Sequence, residues 1–133
     1  MNRAAESAST EATSIFLDAI KKMTFDDAKK ILTGRENEAT LYFQEKTSDN
    51  LRNAFKPIID KSMENVGVTK TYENLMGSIK KIPLVKVSNT DLDEYVTNKA
   101  LDGLFTMMAG EEKKIRTDPA ARVTDLLKQV FGN

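Results

Sequence analysis

Residues 51–67 read LRNAFKPIIDKSMENVG, and their apolar members decide the fold. Leu51, Phe55, Ile58, Ile59, Met63 and Val66 recur at steps of three and four, the spacing that lines one face of an α-helix. Pro57 sits inside the stripe and removes one backbone donor, so a kink is expected there, not a stop. Gly67 closes the segment, and Thr47 or Ser48 is the expected cap at its start.

The same period extends outward in both directions. A first helix is expected from about Ala4 or Ser9 to Met23, with Ile15, Phe16, Ala19, Ile20 and Met23 on one face. Thr24 reads as the cap of a short second helix, with Asp26 and Asp27 in its first turn, where the helix dipole favours carboxylates. Phe25, Ala28, Ile31 and Leu32 form its stripe, and Gly34 is expected to end it in the left-handed conformation. A third helix opens near Asn37 and carries Leu41, Tyr42 and Phe43. Beyond Gly67, Thr69 starts a helix with Tyr72, Leu75, Met76 and Ile79 inward. Residues 84–87 are the one weak strand candidate, read as an extended connection because a single strand has nothing to pair with. Asn89 or Thr90 caps a long helix reaching about Arg116, with Leu101, Leu104, Phe105 and Met108 as its core face and Val96-Thr97 or Gly110 as candidate breaks. Asp118-Pro119 restarts a last helix with Val123, Leu126, Leu127, Val130 and Phe131. The fold class is therefore all-α, with six or seven helices in an irregular bundle-like array forming a single domain over residues 1–133.

Composition excludes much chemistry. Lysine plus arginine and aspartate plus glutamate each number 20, so no global field attracts nucleic acid or an anionic membrane. Cysteine and histidine are both absent, which removes disulfides, thiolate nucleophiles, Cys or His metal ligands and the usual base near neutral pH. No stretch approaches the roughly 20 apolar residues of a membrane span.

The clusters that remain have plain readings. Asn89, Asp91 and Asp93 begin like a calcium loop, but Glu94 stands where glycine is needed and Ala100 where the closing glutamate is needed. Adjacent Asp26 and Asp27 point about 100° apart and do not share a substrate. Glu111 to Arg116 is a dense charge run, with Glu112 and Arg116 four apart as on a solvated face. Lys80, Lys81 and Lys86 lack interleaved aromatics. Phe105, Met107 and Met108 cannot all face one core; Met107 is either packed in a wide core or an adaptable contact. No catalytic residue, metal ligand or cofactor site is expected. Arg52, Asp102, Met107, Arg116 and Arg122 are the candidate interaction or ion-pair positions, with structural ion pairs the favoured reading for the four charged ones.

Several stretches together resemble a known family. They are TFDDAKKILTG at 24–34, TSDNLR at 47–52, VGVT at 66–69, KALDGLF at 99–105, EEKKIR at 111–116 and DPAAR at 118–122. The chain is similar over nearly its whole length to the bacterial family called domain of unknown function 4197, as the C-terminal part of a longer member. The resemblance implies an exported protein and a periplasmic or envelope address, with no established activity and no cofactor. The functional expectation is a non-catalytic helical interaction domain that takes a protein partner or self-associates as a dimer. A binder of a small apolar ligand between helices, in a cavity lined by Phe, Tyr and Met, is the alternative.

Overall fold

The computed structural model describes residues 2–83, 91–122 and 124–132. The chain is all-α: among the described residues there are six α-helices, one 3-10 turn and no strand. They are α1 (Asn2–Lys21), α2 (Phe25–Thr33), α3 (Glu38–Asn65), α4 (Val68–Ile79), α5 (Leu92–Thr117), the 3-10 turn Pro119–Ala121, and α6 (Asp125–Phe131). Residues 84–90 and Val123 lie outside the described residues, and with them the strand candidate, Lys86 and the expected caps Asn89 and Thr90.

The core is a layer of three helices, with α3 packed between α1 and α5. Ala12, Leu51, Phe55, Leu101 and Phe105 form its buried centre, and Phe16, Phe43, Ile59, Leu104 and Met108 pack around them. Phe16 meets Phe43 edge-on with ring centres 5.4 Å apart, and the Tyr42 hydroxyl donates to the Ala19 carbonyl at 3.3 Å. Thr47 and Thr97 are fully buried although polar. Each hydroxyl is satisfied by the carbonyl one turn back, Phe43 and Asp93 respectively, so the burial leaves no orphan donor.

That back-bonding also corrects the expected break before residue 51. Thr47 and Ser48 bond to the carbonyls of Phe43 and Gln44 inside an unbroken helix, and the anticipated third and fourth helices are one, 28 residues long. The helix continues through Pro57. Gly67 does close it, with φ +72, the one described glycine at positive φ. α5 likewise runs without a break through Val96-Thr97 and Gly110, and its cap is Asp91, whose carboxylate accepts from the backbone of Asp93 and Glu94.

Thr24 caps α2 as expected, and Asp27 completes a capping box with it. Gly34 is not left-handed; its φ is −83. Glycine is needed there for room, because a Cβ would stand 2.5 Å from the Lys30 carbonyl oxygen and 2.6 Å from the Glu38 side chain. The expected α2 stripe is only half right. Ala28 and Ile31 are half-buried, while Leu32 is exposed and Phe25 is 84% exposed. Helical side chains lean toward the N-terminus, so Phe25, the first residue of α2, projects beyond the helix end. Ile20 is also exposed, leaving Ala8, Ala12, Ile15, Phe16 and Ala19 as the inward face of α1.

Candidate interaction surface

One buried ionic junction joins the ends of three elements. Glu112 of α5 lies across the N-terminus of α3, where the N-cap residue Asn37 makes no side-chain cap bond. Its Oε1 accepts from the Ala39 amide at 2.9 Å and from Arg116 Nη2 at 2.7 Å and Nε at 3.0 Å. Its Oε2 accepts from the amide and hydroxyl of Thr40, both at 2.8 Å. Burial pushes the Glu112 carboxyl up, but the amides of Ala39 and Thr40 and the Arg116 guanidinium outweigh it and hold it below its ordinary value. Arg116 spends its remaining reach on the Ile31 carbonyl at 2.6 Å, and the Phe131 ring lies 5.4 Å from its guanidinium carbon. The charge run at 111–116 is therefore not uniformly solvated: Glu111, Lys113 and Lys114 are exposed while Glu112 and Arg116 turn inward. Five hydrogen bonds fill the carboxylate, which leaves it no lone pair for a substrate.

The other candidate positions are scattered around this frame. Arg52 pairs with Asp49 on its own helix at 3.0 Å and reaches Asn98 of α5 at 3.2 Å. Asp102 faces Lys99 at 3.7 Å on the surface. Arg122 donates to the carbonyls of Ile115 and Arg116, both at 2.7 Å, capping the end of α5. Asp118 caps the 3-10 turn through Ala120. Met108 packs on the core, whereas Met107 is 74% exposed.

Two carboxylates do face each other. Asp60 on α3 and Asp93 on α5 each keep one buried oxygen without a hydrogen-bond partner. Burial and then the nearby Asp60 push the Asp93 carboxyl up. Neither residue lines any of the four hollows described among α1 to α5. Among the described residues no group of three acidic side chains could hold a metal ion. Of the aromatics that could line an apolar ligand cavity, Phe43 packs on the core with Phe16, Phe55 and Phe105, Tyr42 and Tyr72 border surface hollows, and Tyr95 is exposed.

The unsatisfied surface is α4. Of the residues expected to face inward, Tyr72, Met76 and Ile79 are half-buried and Leu75 is exposed, and no residue of this 12-residue helix is fully buried. Val68 and Leu75 are exposed, as are Val66 before the helix and Ile82 after it. An almost wholly apolar hollow opens beside it, lined by Val66, Val68, Tyr72, Leu75 and Leu92 among others. The sequence pattern was right about the stripe. It could not say whether this chain supplies the surface that covers it.

A family model described as "Protein of unknown function (DUF4197)" matches residues 1–132. No curated protein and no solved structure matches the chain.

Proposed function

Because the chain belongs to the DUF4197 family, whose description assigns no activity, we propose from its own geometry that it is a non-catalytic helical interaction domain of the bacterial envelope, associating through α4. One observation carries this reading: an amphipathic helix with no fully buried side chain, in which Val68 and Leu75 are exposed and Tyr72, Met76 and Ile79 are half-buried. Val68, Tyr72, Leu75 and Ile79 follow one another at steps of four, three and four, the seam by which one helix packs along another. The positions flanking that seam are Thr69, Thr71, Met76 and Ser78, so no charge opposes close approach.

The occupant is α4 of a second copy, antiparallel across a two-fold axis, which makes the patch its own partner. A chain with balanced charge has no long-range repulsion from its copy. Surface area is not limiting. The chain exposes 9677 Å² where a compact monomer of 14.9 kDa exposes about 7,000 Å², a surplus larger than the roughly 800 Å² per partner of a standard interface. No described helix is long and apolar enough to cross a membrane.

Sedimentation velocity over a concentration series tests the proposal. Wild type is expected to pass from monomer to dimer, and Leu75→Glu to stay monomeric with unchanged helix content. A wild-type chain that is monomeric throughout, or a Leu75→Glu variant that dimerises as well as wild type, would overturn it.

A further inference from the structure

Three large apolar side chains, Val68, Leu75 and Ile82, stand exposed along α4 and the turn that follows it. They are seven residues apart, and seven residues make about two helical turns, so the three share one face. The winding reaches Ile82 although α4 ends at Ile79. The amides of Lys80, Lys81 and Ile82 still donate backward, to the carbonyls of Met76, Ser78 and Ile79 at 2.9, 3.3 and 3.0 Å. Lys70, Glu73 and Lys80 each lie two residues from a member of the set, which turns them about 160° away from this face.

The two ends of the face differ in shape. The apolar hollow, of about 350 Å³, lies along its first half, with Val68, Tyr72 and Leu75 on the α4 wall and Val66 and Leu92 at its end. None of the four described hollows is lined by Ile79 or Ile82, so the second half offers projections and no recess. A parallel pair of copies would set hollow on hollow and Ile82 on Ile82. An antiparallel pair sets each hollow under the projecting half of the other copy. Charge sorts the ends in the same way. Glu64 stands two residues before Val66, and Asp91 and Asp93 flank Leu92, all at the recessed end. These carboxylates gather with Asp60, since burial and then Asp60, Asp91 and Glu64 push the Asp93 carboxyl up while Lys56 acts against them. The projecting end instead carries the exposed Lys81 beside Ile82. Phe25, the most exposed apolar side chain, is a poorer occupant because Asp26 and Asp27 follow it and would add to the negative rim.

Resting on the self-association reading above, we infer that the two-fold axis passes at Leu75 and that Ile82 of each copy seats in the other copy's hollow over Val68, with Lys81 beside Glu64 and Asp91. Val68 and Ile82 are equidistant from Leu75 in the chain, so one rotation brings both ends together at once. The hollow is thus half of a site that a second copy completes.

The chain has no cysteine, so single introduced cysteines report the register without background. On mild oxidation Leu75→Cys is expected to link to its own copy. Val68→Cys and Ile82→Cys should each stay unlinked alone and link to each other when mixed. In sedimentation velocity Lys81→Glu is expected to weaken association about tenfold, as two exposed charge pairs per dimer allow, and adding Glu64→Lys should restore it, a recovery that misfolding cannot imitate. Ile82→Cys linking to itself, a Lys81→Glu variant that associates as wild type does, or a Val68–Ile82 mixture that fails to link while wild type dimerises would overturn this inference and leave association through α4 standing. A wild-type chain that is monomeric at every concentration would overturn both.

Discussion

The Glu112 junction and α4 are opposite solutions to the same problem of an unfinished helix. At the junction, the open N-terminus of α3 is closed by a carboxylate 73 and 72 positions away from the amides it accepts, and that carboxylate is itself held by Arg116. Everything the element needs is supplied from within the chain. Helix α4 has a well-formed apolar stripe that is only partly covered: Tyr72, Met76 and Ile79 are half-buried, and Val68 and Leu75 are exposed. The difference separates stability from association: the first region holds the fold, and the second offers surface.

The largest expected effect breaks the self-sufficient side. Glu112→Ala strands Arg116 and two amides in a buried setting and should cost about 3–5 kcal/mol, read by denaturant unfolding. Leu51→Ala, at a side chain with no exposure, should cost about 3 kcal/mol by opening a cavity in the core. The same change at Leu75, which is 55% exposed, should cost less than about 0.5 kcal/mol in the monomer. A Leu75→Ala cost as large as that at Leu51 would erase the distinction between the regions.

Acid should divide the carboxylates in the same way. Glu112 titrates below the 4.5 of an ordinary glutamate, so its contribution is complete above that pH and is lost as the pH falls through its lowered value. Asp93 has the opposite sign, being raised above 3.8, so its charge opposes folding at neutral pH and ceases to do so below 3.8. Asp93→Asn is expected to raise Tm at pH 7 and to leave it unchanged near pH 3, followed by thermal melts at both.

The smallest effects concern two glycines. Gly77 lies inside α4 with open space around its missing Cβ, so Gly77→Ala should stabilise the monomer by about 0.5–1 kcal/mol through helix propensity. Gly34→Ala should destabilise it by about 1–3 kcal/mol because the new methyl meets the Lys30 carbonyl. Both are read in the same unfolding assay at a concentration where the chain is monomeric.

How much of this was legible in the sequence follows from the range of each interaction. The stripes at Leu51–Met63 and Leu101–Met108 and the caps at Thr24 and Asp118 are local, and period or spacing announces them, although the helix expected to restart at Asp118-Pro119 is a 3-10 turn and α6 begins only at Asp125. The merging of two expected helices into α3 was missed because Thr47 and Ser48 are good caps that can also bond back one turn, and a sequence does not show which they choose. Glu112 read as part of a solvated face because its partners, Ala39 and Thr40, stand more than seventy residues away. Arg52 and Arg116 do take carboxylate partners, but Arg122 reaches carbonyls, which carry no sequence signal. The exposure of α4 and Phe25 was hidden for a related reason: an apolar stripe states that cover is wanted and never where it comes from.

Hydrogen exchange followed at low and high protein concentration tests the contrast between the two regions most directly. At low concentration the amides of Val68–Ile79 should exchange far faster than those of Leu51–Met63 and Leu101–Phe105, and at high concentration they alone should gain protection. Protection of α4 equal to that of α3 at every concentration would contradict the account.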